Sequence, residues 1–161
     1  MASHQQVNGL KRELLLDVGV RLRADCTRNE YQKPHFCHKR MEVSELIALY
    51  NRAWSEPDHA LRQKLLEQIW AEDGTYTDPT AHVPGRKALV DHIGALFARF
   101  PGAYFEVTSG IDSHHEKFRF TWRMVLADGK VALEGIDFGE LSSDGSKLRR
   151  IVGFFGPLAP Q

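Results

Sequence analysis

The stretch that decides the fold is residues 117–141, which read KFRFTWRMVLADGKVALEGIDFGEL. Large apolar side chains alternate with polar ones in its first half, which is the two-residue period of a β-strand with one buried face. Asp128-Gly129 then separates this run from a second apolar run, and an Asp-Gly pair in that position is typical of a β-hairpin turn. The stretch therefore predicts two long antiparallel strands, at 117–127 and 131–141.

The flanking sequence extends this hairpin into a complete domain. Apolar runs predict two more strands, at 104–113 and 148–155, and Asp144-Gly145 marks the turn before the last one. Upstream, apolar residues recur at helical spacing, and short gaps separate the segments; we expect helices near 43–54, 58–71 and 87–100, a short strand at 74–78, and a loop or short strand at 80–84. The order predicts an α+β domain in which three helices cover one face of a curved antiparallel sheet.

The composition is that of an ordinary globular protein. The chain has 161 residues, 42% hydrophobic and 26% charged, with a formal net charge of zero. This balance gives no reason to expect a nucleic acid or an anionic membrane as partner. No apolar run is long enough for a transmembrane helix. The N-terminus has no signal-peptide pattern and the chain has only two cysteines, so we expect a cytoplasmic protein with reduced thiols.

Residues 1–40 differ in character from the rest. They hold eight Lys or Arg residues against four Asp or Glu residues, and we expect a basic N-terminal extension, with a helix near 7–24, ahead of a domain at 41–161. Four potential metal ligands fall in this extension: Cys26, His35, Cys37 and His38. Their spacing lacks the paired cysteines of a zinc site, so the sequence predicts no metal and no cofactor.

Three polar residues stand out because of where they fall. Tyr50 lies in the apolar stripe of the first helix, Asp78 ends the short strand before Pro79, and Asp137 interrupts an apolar strand. A carboxyl group in such a strand must be exposed, paired or neutral, because burying it charged is costly. Two acids in different surroundings together with a phenol are suited to general acid–base chemistry on a carbonyl compound. Tyr50 as a core tyrosine and Asp78 as a turn residue remain the alternatives.

Short motifs along residues 43–157 resemble the nuclear transport factor 2 superfamily. The motifs are Tyr50-Asn-Arg-Ala-Trp54, Tyr76-Thr-Asp-Pro79, Pro84-Gly-Arg-Lys-Ala-Leu89, Arg119-Phe-Thr-Trp122, Gly135-Ile-Asp-Phe-Gly-Glu140 and Ile151-Val-Gly-Phe-Phe-Gly156. Within the superfamily, the chain is most similar to the SnoaL-like and ketosteroid-isomerase-like branch. The resemblance implies a cone-shaped fold that encloses a pocket. It does not select a reaction, because this fold hosts isomerases, cyclases, dehydratases, hydrolases and non-catalytic proteins.

The resemblance to ketosteroid isomerases also implies roles for the three residues. Asp78 would be the general base, while Tyr50 and a protonated Asp137 would donate hydrogen bonds to a developing oxyanion. The implied lining of the pocket is mainly aromatic: Phe118, Phe120, Trp122, Met124, Phe155, Trp54, Phe97 and His114. Dehydratase-like chemistry would need His92 together with His114 or His115. The Arg between two acids of epoxide-hydrolase relatives has no match on the sheet, since the only Arg-x-Asp triplet, Arg23-Ala24-Asp25, lies in the extension.

The sequence leaves two functions open. One is a cofactor-free isomerase or cyclase, or a dehydratase-like enzyme, that acts on a small apolar carbonyl compound. The other is a non-catalytic module that uses the same cavity to bind a ligand or to support dimerisation. In either case the resemblance implies a homodimer that pairs through the outer face of the sheet, at Ile136 or Phe138.

Overall fold

The computed structural model describes residues 40–158 and residue 160. The expected extension at 1–40 and its four potential metal ligands therefore lie almost wholly outside the described residues. The described part contains three helices: α1 (Val43–Ala53), α2 (His59–Ile69) and α3 (Arg86–Arg99). It contains seven strands: β1 (Trp70–Asp78), β2 (Ala81–Pro84), β3 (Tyr104–Val107), β4 (Asp112–His114), β5 (Lys117–Val125), β6 (Val131–Leu141) and β7 (Leu148–Phe155).

The seven strands form one open, curved sheet. Their order is β2-β1-β7-β6-β5-β3, and β4 also pairs with β5. The two predicted hairpins are present, because β5 pairs with β6 and β6 pairs with β7, both antiparallel. The predicted α+β class with three helices on a sheet is confirmed. The sheet is mixed, however, since β1 runs parallel to β7.

Two of the differences from the predicted elements have clear local reasons. The helix expected to run to residue 71 ends at Ile69, because Lys147 Nζ donates to the Glu67 and Gln68 carbonyls and Trp70 already pairs with Leu148 in the sheet. The strand expected at 104–113 is split into β3 and β4 because residues 108–111 lie opposite only two residues of β5, so the regular pairing is interrupted there.

The helices pack on the concave face of the sheet and bury a continuous apolar core. Its fully buried members come from both layers: Leu46, Ile47, Leu66, Ile69, Trp70, Leu89, Ile93, Leu148 and Ile151. Burial of such side chains is the main stabilising contribution to a domain of this size. The core fills the closed end of the space between the layers, and the remaining space is a cavity. Among the residues described, no helix is both long and apolar enough to cross a bilayer.

Candidate active site

The cavity lies between α1, α3 and the concave face of the sheet. Its volume is about 440 Å³, and its wall is mostly aromatic and aliphatic. The register of the strands shows which residues lie deep in the cavity and which lie at its mouth. Phe118, Gly139 and Ile151 pair across β5, β6 and β7 and are buried at the floor, whereas Ala132 at the start of β6 is exposed at the mouth. Asp137 lies one inward-facing position above the floor.

Asp137 is the buried acid of this cavity. Asp137 is only 4% exposed, and the indole Nε1 of Trp122 donates a hydrogen bond to its Oδ1 at 2.7 Å. Burial raises the pKa of Asp137 to about 7, the hydrogen bond from Trp122 opposes this rise, and the charge of Asp78 adds to it. Asp137 therefore changes its protonation state near neutral pH.

Glycines surround Asp137 and make room for it. Gly135 and Gly139 precede and follow it on the inward face of β6, and the rings of Trp122 and Phe118 fold over them. Gly153 of β7 lies directly opposite Asp137. A Cβ atom on Gly153 would be 2.9 Å from Asp137 Oδ1 and 3.8 Å from both the Asp78 Cβ and the Tyr76 hydroxyl. The two acids and Tyr76 thus converge on the space above Gly153.

Asp78 is an acid of a different kind, because hydrogen bonds occupy both of its oxygens. Oδ1 accepts from the backbone N–H of Thr80 at 2.7 Å, from the Thr80 hydroxyl at 2.7 Å and from the Ala81 N–H at 2.8 Å. Oδ2 accepts from the Tyr76 hydroxyl at 2.9 Å. Partial burial alone would raise the pKa of Asp78, but these four donors outweigh it and the pKa is lowered. Asp78 is therefore ionised and held in one orientation.

Tyr76 is a site residue that the sequence reasoning did not single out. It is buried, and burial raises its pKa, with the charges of Asp137 and Asp78 acting in the same direction. Its hydroxyl therefore stays protonated and donates to Asp78. The sequence did contain a signal: residues two apart on a strand share a face, so an inward Asp78 implies an inward Tyr76.

Tyr50 in α1 and Trp54, the residue just after α1, bring two unpartnered donors to the cavity wall, four residues apart. Neither the Tyr50 hydroxyl nor the Trp54 Nε1 has a hydrogen-bond partner within the described part of the chain, and both atoms are buried. The Tyr50 ring stacks on Trp70, with centroids 5.8 Å apart. Burial raises the pKa of Tyr50 well above its ordinary value, and the charge of Asp137 raises it further. Tyr50 is thus a donor without an acceptor.

The expected lining is only partly found. Trp54, Phe120, Trp122, Met124 and Phe155 line the cavity together with Tyr50, Asp78 and Asp137. Phe118, Phe97 and His114, which were also expected there, lie outside its wall. Phe118 packs over Gly139, below the cavity floor. Phe97 lies under the guanidinium of Arg62, and His114 is exposed on the edge strand β4.

The histidines do not assemble in the way a dehydratase-like pair would require. His92 of α3 lines the cavity, with its ring centroid 5.8 Å from Tyr76 and 6.0 Å from Trp54. His114 and His115 are both exposed at the turn between β4 and β5, outside the cavity wall. Within residues 40–158, no three His, Cys, Asp or Glu side chains come together as a metal site.

The fold is of the nuclear transport factor 2-like type, with a cavity between the helices and the sheet. The chain belongs to the SnoaL-like family, whose domain model matches residues 46–151. One similar solved structure is a suggested isomerase of that family from Agrobacterium tumefaciens, at 32% identity and a TM-score of 0.66; the match covers 70% of this chain and 95% of that one. The resemblance drawn from the sequence motifs is thereby confirmed.

More distant solved structures share the fold. A protein of unknown function with a cystatin-like fold from Methylobium petroleophilum matches at 17% identity and a TM-score of 0.59, covering 72% of this chain and 77% of its own. A nuclear transport factor 2-like protein of unknown function from Cytophaga hutchinsonii matches at 12% identity and a TM-score of 0.55, covering 74% and 95%. No curated protein sequence matches this chain.

Proposed function

We propose that this protein is a cofactor-free acid–base enzyme, an isomerase or cyclase, acting on a small, flat, apolar carbonyl compound. The observation that carries this proposal is the buried Asp137. Its pKa is about 7, and its side chain lies in a cavity whose wall is otherwise mainly apolar. A proton-transfer group is most effective when its pKa lies close to the working pH. The suggested isomerase from Agrobacterium, at 32% identity, supports the same class of reaction.

In the proposed step, ionised Asp137 removes a proton from the carbon next to the substrate carbonyl. The electron pair of the broken C–H bond moves to the carbonyl oxygen and forms an enolate. The hydroxyl of Tyr50, a buried donor with no acceptor of its own among the described residues, donates to that oxygen. Where a C=C bond adjoins that carbon, the enolate is a dienolate: protonated Asp137 returns the proton to the far carbon of the C=C bond, the double bond moves next to the carbonyl, and ionised Asp137 is restored.

This assignment changes the roles implied by ketosteroid isomerases, where Asp78 would be the base. Four donors already bind the Asp78 carboxylate and lower its pKa, so it has little tendency to accept a proton. We infer instead that Asp78 acts by its charge and by fixing Tyr76. Its negative charge is one of the influences that raise the pKa of Asp137.

Exchange of carbon-bound hydrogen tests the proposal without knowledge of the natural substrate. We expect the protein to accelerate exchange of the α-protons of 2-tetralone, a flat apolar ketone, in deuterated buffer, as followed by proton NMR. Asp137→Asn should abolish the acceleration, because the amide cannot accept the proton. Asp78→Asn should retain part of it, and Asp112→Asn, at an exposed position on β4, serves as the matched control. If Asp78→Asn abolished the exchange and Asp137→Asn did not, Asp78 would be the base.

A ligand-binding module without turnover is the second candidate. The observation that favours it is the hydrogen bonding of Asp78, which resembles that of a fixed structural carboxylate more than that of a reactive one. This candidate predicts that 2-tetralone binds and protects the protein against heat, while its α-protons exchange no faster than in buffer alone.

A further inference from the structure

One residue with a permanent positive charge lines the cavity formed by the described residues. It is Arg99, at the C-terminal end of α3, and no other Lys or Arg lines this wall. The other ionisable wall residues are Asp78, Asp137, His92, Tyr50 and Tyr76. An arginine in a cavity that also holds two acids would ordinarily be expected to pair with one of them.

Arg99 makes no such pair. Within the described part of the chain it takes part in no side-chain hydrogen bond and no salt bridge; its guanidinium lies over the ring of Phe100, 5.3 Å from the centroid. Stacking on an aromatic ring holds a guanidinium in place and leaves its N–H donors available. Such a group is suited to binding a carboxylate through two parallel hydrogen bonds.

Arg99 and Asp137 lie at different depths. Arg99 is exposed, and the chain after it enters β3, whose first residue, Tyr104, pairs with Val125 at the mouth end of β5. On β6 the mouth is marked by Leu133, four residues before Asp137. Four strand residues span roughly 13 Å, so an anion at the mouth would be well separated from the buried acid.

We propose that Arg99 selects the substrate: the cavity takes an apolar compound with a carbonyl group at one end and a carboxylate at the other. The carbonyl end lies deep, beside Asp137 and Tyr50, and the carboxylate remains at the mouth, paired with Arg99. The inference rests on the proposed function, because it assumes that the carbonyl end occupies the site of proton transfer. Apolar wall residues between the two ends hold the body of the molecule, and partial exclusion of water by that body strengthens the ion pair.

Three probes of the same shape test this inference by binding alone: 6-acetyl-2-naphthoate, its carboxamide and the unsubstituted 2-acetylnaphthalene. Quenching of tryptophan fluorescence reports binding, since Trp54 and Trp122 lie on the cavity wall. We expect wild-type protein to bind the carboxylate about three to ten times more tightly than the carboxamide, as partly exposed ion pairs allow. Added salt should reduce that preference.

Two arginine variants separate this contact from general electrostatics. Arg99→Gln should reduce the preference for carboxylate over carboxamide to about one and leave the affinity for 2-acetylnaphthalene unchanged. Arg52→Gln removes the same charge from an exposed position on α1 outside the cavity wall, and should keep the preference. An equal preference in wild type and Arg99→Gln would overturn the inference while leaving the cavity and its chemistry standing. Failure of 2-acetylnaphthalene to bind at all would overturn the proposed function, and this inference with it.

Discussion

Asp78 and Asp137 are chemically identical residues on one cavity wall, yet their surroundings shift their pKa values in opposite directions. Around Asp78, donors from its own turn and from Tyr76 stabilise the charged form. Around Asp137, burial disfavours that form, and the single indole donor of Trp122 compensates only in part. Environments that separate two acids in this way commonly assign their roles in proton transfer.

This difference predicts how stability depends on pH. Folding raises the pKa of Asp137 from an ordinary value of about 4 to about 7, so the folded chain holds this proton more tightly than the unfolded chain. The free energy of unfolding therefore falls as the pH rises from about 4 to about 7 and levels off above that range. The loss is roughly 4 kcal/mol at most. Asp78 has the opposite sign, because its stabilisation is lost as the pH falls below its ordinary pKa.

Asp137→Asn should remove most of this decrease in the free energy of unfolding with rising pH. The amide carries no titrating proton, and its oxygen can still accept a hydrogen bond from Trp122. Urea unfolding of wild type and variant at about pH 5 and about pH 8 measures the decrease. We expect the wild-type protein to lose more stability between the two conditions than Asp137→Asn does. A wild-type decrease that the variant fully retains would contradict the assignment of this titration to Asp137.

At the scale of the elements, strand β6 needs glycine where its neighbour carries aromatic rings. A Cβ atom on Gly139 would overlap the ring of Phe118, which lies below the cavity floor. We expect Gly139→Ala to lower the free energy of unfolding by about 1–3 kcal/mol, because the ring must leave its preferred position. Gly110→Ala is the matched control, since a Cβ at that position meets nothing.

A double variant separates this overlap from an intrinsic effect of alanine in the strand. Phe118→Leu shortens the ring side chain, so Gly139→Ala should cost less in that background than in wild type. Urea unfolding of the four proteins gives the interaction energy. If Gly139→Ala lowered the free energy of unfolding equally in both backgrounds, overlap with the Phe118 ring would not be the cause of the destabilisation.

One buried arginine links α2 to α3 and to the segment that precedes α2. Arg62 of α2 is only 2% exposed; its Nε donates to the Val90 carbonyl of α3 at 3.0 Å, and its Nη1 donates to the Glu56 and Pro57 carbonyls at 2.7 and 3.2 Å. Arg62→Met would leave these acceptors without a donor. We expect a loss of about 2–4 kcal/mol in urea unfolding, against less than about 0.5 kcal/mol for Lys64→Met on the exposed side of the same helix. Comparable losses in both variants would contradict the linking role of Arg62.

The elements themselves could be predicted from the sequence because their signals are local. Two-residue alternation and the Asp-Gly pairs located the hairpins of β5, β6 and β7, and helical spacing located the three helices. The parallel pairing of β1 with β7 has no local signal, because about 70 residues separate the two strands and no turn restricts their direction. The apolar strand around Asp137 predicted a carboxyl group that is exposed, paired or neutral, and the structure shows it buried. The turn-residue alternative for Asp78 agrees with the donors found around it from Thr80 and Ala81.

At the scale of the whole molecule, the outer face of the sheet carries an exposed apolar cluster of Ile136, Phe138, Val152 and Phe154. Phe138 pairs with Val152, Ile136 pairs with Phe154, and the two phenyl rings meet edge to face, with centroids 6.2 Å apart. Phe138 is 42% exposed and Phe154 is 54% exposed. Clustered exposed aromatic residues of this kind are typical of protein–protein contacts.

We propose that this cluster is the centre of a homodimer interface, as the family resemblance implied at Ile136 or Phe138. Static light scattering should give twice the chain mass for wild type, and the mass of one chain for Phe138→Lys/Phe154→Lys, because two buried charges per subunit would have no partners. Leu61→Lys, at a 49% exposed position on α2, is the control and should remain dimeric. A chain beginning at Met41 tests whether the basic extension contributes. A dimer that survives the double substitution would place the interface elsewhere, and a monomeric wild type would exclude this assembly.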